Sequence, residues 1–423
     1  MKVLVIGGGG REHALVWKLR QSPRVSQLYC APGNAGIAAE AECLPADVKN
    51  LDSLLALAAR VKPDLTIVGP ELPLQLGVVD EFTRRGYRIF GPTKAAAKLE
   101  SSKSFAKEFM QRYHIPTAHY AICDRPEDVS DALPHFHMPV VVKADGLAAG
   151  KGVVICKSKD EASTVAAEML SGKMLGEAGS RVVIEECLKG EELSFLVLSD
   201  GERVAALAAA QDHKRVGEGD TGANTGGMGA YSTEAMVDAQ MQNWLLQHIA
   251  RPVVAGMKAE GAEYKGVLYC GLMMTARGPM VLEFNCRFGD PETQPVLMRL
   301  QSDLLEALEA SIDGRVSEGD FRWSADASVC VVMASGGYPG TFEMGKKISG
   351  LEDAERVAGV KIFHAGTTKH DDAYFTAGGR VLGITARAAS LGIAAERAYE
   401  AAATISFGGA YYRKDIAARA LKK

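Results

Sequence analysis

The residues best suited to chemistry lie in VLEFNCRFGDPETQP, Val281 to Pro295. An apolar run there ends in Glu283 and Asn285, and Arg287, Asp290 and Glu292 follow closely. Side chains repeat every second residue along a strand, so Glu283 and Asn285 share a face. A carboxylate beside a neutral amide oxygen suits Mg²⁺, a hard cation that completes its shell with water and substrate phosphates. Arg287 falls on that face if the strand continues, offering a rigid fork to phosphate or carboxylate.

Three further segments bear on phosphate chemistry. GGGGREHAL (Gly7–Leu15) has Gly7 and Gly9 of a dinucleotide fingerprint, but the third glycine position is Glu12, and the second strand ends without a carboxylate for a ribose. The turn still opens a helix whose free amides suit a phosphate monoester. DGLAAGKGV (Asp145–Val153) is one residue short of a Walker loop between its glycines, and Gly152 stands where Ser or Thr would hold the metal. A strand follows, so the turn with Gly150 and Gly152 reads as a flap between antiparallel strands that covers phosphates. Lys143, inside the apolar strand before it, wants an anion. VVIEECLKGEELSFLV (Val182–Val197) reads as two strands joined by a hinge whose backbone can meet a base, with Glu192 at ribose hydroxyls.

The elements that would position these residues fall into three regions. Residues 1–101 alternate strand and helix: KVLVIG, a helix over Glu12–Gln21, QLYCA, a helix around Leu51–Arg60, DLTIVG, a helix over Val78–Gly86, then RIFG. That rhythm predicts a doubly wound parallel sheet. Gly and Pro cluster at its strand ends, in APGNAG, VGPELP and FGPT, where such sheets bind ligands. A helix over about Lys94–Tyr113 leads into residues 102–325, with a small α+β flap lobe at about 123–188 and a larger mixed lobe at about 189–325. Residues 326–423, with ASVCVVMASGGYPG, KIFHAGT, GGRVLGITA and a helix over Ser390–Ile405, read as a small separate mixed domain. The fold class is therefore multidomain α/β and α+β.

At 423 residues the chain exceeds one ordinary core. A net charge of −4 gives no footprint for nucleic acid or an anionic membrane. No apolar stretch reaches bilayer length, and Met1 leads straight into a strand rather than a signal peptide. The eight cysteines show no zinc spacing, and several sit in apolar strands, which fits a reducing cytoplasm. Cys286 has no base beside it in sequence, so it reads as packing rather than a nucleophile. His13, His213 and His364 read as structural.

Taken together, GGGGREHAL, APGNAG, TIVGPELPL, IFGPT, LESSKSFAKEFM, VVKADGLAAGKGV, VIEECLKGEELSF, QDHKR, NTGGMGAY, EFNCRFGDPETQP, MASGGYPG, FHAGT and GGRVL resemble the glycinamide ribonucleotide synthetase family of the ATP-grasp superfamily, nearly end to end. The resemblance implies a two-lobed ATP-grasp core between the first and last domains. It also implies the second step of purine synthesis: ATP, glycine and 5-phosphoribosylamine give glycinamide ribonucleotide, ADP and phosphate through glycyl phosphate. Glu283 and Asn285 would hold Mg²⁺ (or Mn²⁺). ATP, the co-substrate, would meet Lys103, Lys143, Gly150, Gly152, Glu185, Glu186, Leu188, Glu192, Arg215 and Asn224. Arg287, Asp290 and Lys143 would act on the transferring group and the amino acid, with Asp212 competing with Asp290 for the glycine ammonium. The ribosylamine would lie between Gly9, Gly10, Arg11, Glu12, Asn34 and Glu71 on one side and Gly226, Gly227 and Met228 on the other. The partners implied are these small molecules alone, with no nucleic acid or membrane, on a monomer or weak homodimer. Two positions depart from the pattern: the strand before Glu283 lacks an additional acid, and Ala223 replaces a usual Pro. The rivals are an ATP-grasp ligase for another acid, excluded by glycine-dependent ADP release, and a nucleotide binder that does not turn over.

Overall fold

Four short apolar runs near the N-terminus dictate the first layer. The computed structural model describes residues 1–147, 152–172 and 179–422. Strands β1 (Lys2–Gly7), β2 (Gln27–Pro32), β3 (Glu42–Cys43), β4 (Leu65–Val68) and β5 (Ile89–Phe90) form a parallel sheet in the order β3-β2-β1-β4-β5. Val3 to Ile6 of β1 are fully buried, as a strand covered by helices on both faces requires. The edge strand β3 is too short to have been signalled by its sequence. The expected helix over Val78–Gly86 runs from Val78 to Arg84, and a short unexpected helix, Glu71–Leu76, precedes it, separated by Gly77 at φ 92°. That left-handed position lets the chain turn between them.

The helix expected over Lys94–Tyr113 is likewise broken, into Lys98–Ser101 and Lys103–Arg112. Ser102 is the reason: extended, it caps the second helix by accepting from the Phe105 amide. The small lobe holds β6 (Tyr120–Cys123), β7 (Val140–Ala144), β8 (Val153–Cys156) and β9 (Val182–Glu186), ordered β6-β9-β7-β8, over the helix Lys159–Leu170. Strands β7 and β8 are antiparallel. The tip of the turn between them, including Gly150, lies outside the described residues.

The hinge then crosses to another sheet. β10 (Glu191–Asp200) joins β11 (Val204–Ala206), β16 (Lys265–Thr275) and β17 (Gly278–Asn285) in the order β11-β10-β16-β17. Between β11 and β16 run β12 (Gln211–Asp212), the hairpin β13 (Arg215–Gly217) with β14 (Thr221–Asn224), and β15 (Gly229–Ser232). The C-terminal region adds β18 (Ala327–Ala334), β19 (Lys347–Ile348), β20 (Val360–His364), β21 (Thr367–His370), β22 (Ala373–Thr376) and β23 (Arg380–Ala388), with a helix at Leu391–Thr404. Its main sheet is ordered β12-β15-β18-β23-β20, so it incorporates two strands from the preceding region. The sheet therefore crosses the boundary drawn at residue 325.

Candidate active site

β17 and the segment after it carry the centre of the cleft. Its antiparallel register with β16 slips between Gly271 and Leu272, pairing Gly271 with Glu283 and Leu272 with Val281. This bulge leaves Leu282 out of the ladder, and its carbonyl accepts from Lys143 Nζ at 3.2 Å. Glu283, Asn285 and Arg287 all line one cleft of about 1350 Å³, bounded by all three regions of the chain. The same-face expectation for this triplet thus has its counterpart in the fold.

Glu283 accepts no hydrogen bond among the described residues, and Lys214 Nζ approaches at 3.8 Å. Burial favours its protonated form, but Lys214, Lys143, Lys103 and Arg287 hold it below the usual carboxylate range. Asn285 Oδ1 accepts from Arg287 at 3.2 Å. An ionised acid and an amide oxygen facing a roomy cleft fit a divalent ion that draws its remaining ligands from phosphates and water. No group of three or more His, Cys, Asp or Glu among the described residues could hold a metal unaided.

Behind this pair lies a buried chain of charges. Glu185 bridges Lys107 and Lys143, each 3.0 Å away, and both Glu185 and Lys107 are only 2% exposed. Burial pushes Lys107 down to about 8, with Glu185 opposing. Burial disfavours the Glu185 carboxylate, yet Lys143 and Lys107 keep it below its ordinary range. The Glu185 side chain is therefore turned away from any base at the hinge. Lys103 lies beside them, its Nζ donating to the Gly146 carbonyl at 3.1 Å. Of the remaining hinge residues, Glu186 pairs with Arg277 at 2.6 Å, Leu188 is buried, and Glu192 pairs with Lys214 at 2.9 Å. Gly152 is buried, its carbonyl accepting from the Ala144 amide at 2.8 Å.

The larger lobe brings Asp212, Lys214, Arg215 and Asn224 to the cleft. Arg215 and Asn224 face each other across the β13–β14 hairpin. The Asp212 carboxylate has no hydrogen bond or ion pair among the described residues, although Glu192, Glu283 and Glu292 are near it. Burial raises it to about 8; those acids add to the rise and Lys214 opposes it. Asp290 is placed differently. It accepts from Arg380 Nη2 at 2.8 Å and from Gln294 at 2.9 Å. Burial would raise it, but Arg380 and Arg11 keep it low. Asp290 is already paired within the protein whereas the Asp212 side chain is not, so Asp212 is the acid free to meet an incoming ammonium, whose charge would favour its ionised form.

Arg287 is also partly satisfied within the protein. Its Nη2 meets Glu100 at 2.9 Å and its Nε lies 3.4 Å from Glu71. At the first-domain end, the Glu12 carboxylate folds back to accept from Gly9 N–H and Arg11 Nε, both at 2.6 Å. The Gly9 amide is thus already taken, while Gly10 begins the helix that runs to Leu19. Glu12 fits only because Gly7 and Gly69 are bare: a Cβ at either would fall within 2.6 Å of it.

Two expected sugar contacts are corrected. Asn34 donates to the carbonyls of Gly8 (2.9 Å) and His364 (2.8 Å) and accepts from the amides of Gly36 and Ile37 (2.9 Å each). Its amide has no capacity left for a ribose; it latches the first domain to β20. Met228 is fully buried, and its amide and carbonyl are bonded to His213 and Val332. Gly226 lines the cleft, and Gly227, at φ 109°, packs against Pro291.

Sequence reasoning missed Lys107 and Arg380, which the fold brings to this cleft together with Lys214, one of the basic residues of QDHKR read for phosphate contact. Lys107 lies one helical turn after Lys103, a spacing that already put both on one face. Lys214 follows Asp212 at strand alternation within QDHKR. Arg380 had only its GGRVL motif, with no local signal of where its side chain would reach.

Profiles for the N, ATP-grasp and C domains of phosphoribosylglycinamide synthetase match residues 1–100, 101–293 and 328–419. The phosphoribosylamine–glycine ligase of Vibrio parahaemolyticus is 50% identical over 426 aligned positions, covering 100% of this chain and 99% of its own. That of Pseudomonas aeruginosa is 50% identical with the same coverage. The crystal structure of phosphoribosylamine–glycine ligase from Thermotoga maritima superposes with a TM-score of 0.87 at 33% identity, over 98% of this chain and 100% of that one. A biotin carboxylase from Campylobacter jejuni, at 14% identity and a TM-score of 0.76, shares the fold, covering 100% of this chain and 95% of its own.

Proposed function

This chain belongs to the phosphoribosylglycinamide synthetase family, and from that premise we propose how its cleft joins glycine to 5-phosphoribosylamine at the expense of ATP. The reaction forms glycinamide ribonucleotide, ADP and phosphate in purine biosynthesis. ATP-grasp ligases use ATP with a divalent ion; here Glu283 and Asn285 would hold Mg²⁺ or Mn²⁺, which when bound offsets charge on the triphosphate. Lys103 lines the cleft on the small-lobe side and would meet the same phosphates, with Lys143 close behind it on Glu185, while Arg215 with Asn224 approaches from the larger lobe.

Glycine's ammonium meets Asp212, leaving its carboxylate toward Arg287. One carboxylate oxygen attacks the γ-phosphorus, the bond to the bridging oxygen breaks, and ADP leaves. The sugar amine nitrogen then attacks the acyl carbon of glycyl phosphate; phosphate departs and the amine loses one proton. The flap shields the acyl phosphate from water. The observation that carries this reading is an ionised Glu283 and Asn285 side by side in a cleft flanked by Lys103, Lys143 and Lys214. ADP release with each candidate acid is the test. Release requiring glycine and phosphoribosylamine together supports the reading; equal release with formate or bicarbonate rejects it.

A further inference from the structure

Arg380 opens β23 within GGRVL, and none of the chemistry above uses it. Its Nη1 donates to the Gly226 carbonyl and, at 2.9 Å, to that of Asp290, while Nη2 donates to Asp290 Oδ2 at 2.8 Å. Tyr338, also from the C-terminal region, accepts from the Gly226 amide through its hydroxyl at 3.0 Å. A Cβ on Gly226 would come within 3.0 Å of the Arg380 guanidinium carbon, so the approach depends on glycine. Asp290 in turn overlies the start of the first-domain helix: a Cβ on Gly9 would lie 3.8 Å from Oδ2, and one on Gly10 3.9 Å from Oδ1. One planar cation therefore ties together the NTGG turn and the acid after β17, which lies beside the helix end. A lysine, a point charge, could not bridge two carbonyls and a carboxylate in this way. Arg380 Nε has no acceptor among the described residues, and the side chain lines the cleft.

We propose that Arg380 is a positioning residue for the phosphorylated sugar amine: by holding Asp290 and the Gly226–Gly227 turn, it sets the shape of the cleft's first-domain end. The inference rests on the reading above that this substrate occupies that end. Glycine is read on the Lys214 side and the triphosphate on the Glu283 side, with Asn224 two residues before Gly226, so the largest effect falls on the sugar amine and a smaller one on ATP.

The experiment measures KM for each of the three substrates in wild type, R380A and R380K. Loss of charge-assisted bonds predicts a roughly 10- to 100-fold rise in KM for phosphoribosylamine in R380A, with KM for glycine within about twofold and a distinctly smaller rise for ATP through Asn224 of the same turn. Millimolar guanidinium is expected to recover part of the loss in R380A and none in R380K. Y338F, which weakens the same turn from the other side, is expected to move the same KM in a smaller step and serves if R380A does not fold. Equal changes in all three constants, or an unchanged constant for phosphoribosylamine, overturn the positioning role. Wild-type enzyme that forms no product from phosphoribosylamine overturns the reading beneath it, which separates the two failures.

Discussion

Replacing Glu185 by Gln tests the buried charge chain most directly. Glu185 sits 3.0 Å from both Lys107 and Lys143, with water nearly excluded. The substitution keeps the shape but leaves two ammonium groups facing a neutral amide. Breaking a buried pair by removing one partner costs about 3–5 kcal/mol. For a cooperative unit of 150–250 residues that is a fall in Tm of roughly 6–20 °C. The pH dependence gives a second signature. Lys107 in the folded protein titrates near 8, with Glu185 opposing the effect of burial. Without that support its folded pKa falls further while the unfolded value stays put. The variant therefore sheds the Lys107 proton where wild type keeps it, and its deficit shrinks as pH rises toward 8. Thermal denaturation of wild type, E185Q and the K107M/E185Q double variant from pH 6 to 9 reads both effects. The double variant, with one cation fewer, is expected to recover part of the loss. A change in Tm below about 2 °C at pH 6, or a deficit that grows with pH, refutes the argument.

Three other outcomes follow from the geometry. Glu283→Ala is expected to lower turnover by roughly 10³-fold or more while leaving Tm close to wild type, because it removes the acid of the Glu283–Asn285 pair read as metal ligands; near-normal turnover would sink the metal assignment. Asp212, raised to about 8, is protonated below that pH and ionised above it. The kcat/KM for glycine should therefore climb as pH rises through about 8, and D212N should flatten that profile and lower it by roughly 10²-fold. Asn34→Ala strands the carbonyls of Gly8 and His364 and is expected to cost about 2–4 kcal/mol in denaturant unfolding; a loss below about 0.5 kcal/mol would show that the latch is unimportant.

The sequence made the local half of this molecule legible. The alternation of strand and helix over residues 1–101 announced a doubly wound sheet, and Val3–Ile6 are indeed fully buried in it. The spacing of Glu283, Asn285 and Arg287 announced a shared face, and the glycine-rich turns announced where backbone must stay bare. What it hid depends on long-range partners. Nothing near Asn34 signals that the last free donor of its amide will be taken by His364 of β20, over 300 residues away. Met228 sits in a glycine-rich turn yet is buried by β18. Asp290 and Asp212 look alike as isolated acids; only Arg380, arriving from the last region, neutralises one and leaves the other open. The helix break at Ser102 was visible in residue type but outweighed by the apolar periodicity around it.

The sheet in which β15 pairs with β18 has a consequence for biogenesis. While a ribosome is still making the final hundred or so residues, a delay of about 5–20 s at ordinary elongation rates, the backbone groups of β15 on that side wait without a strand. An early stop near residue 325 would make that wait permanent. Such a fragment would present a bare sheet edge to its neighbours, so truncation should yield clumping protein rather than a smaller soluble enzyme.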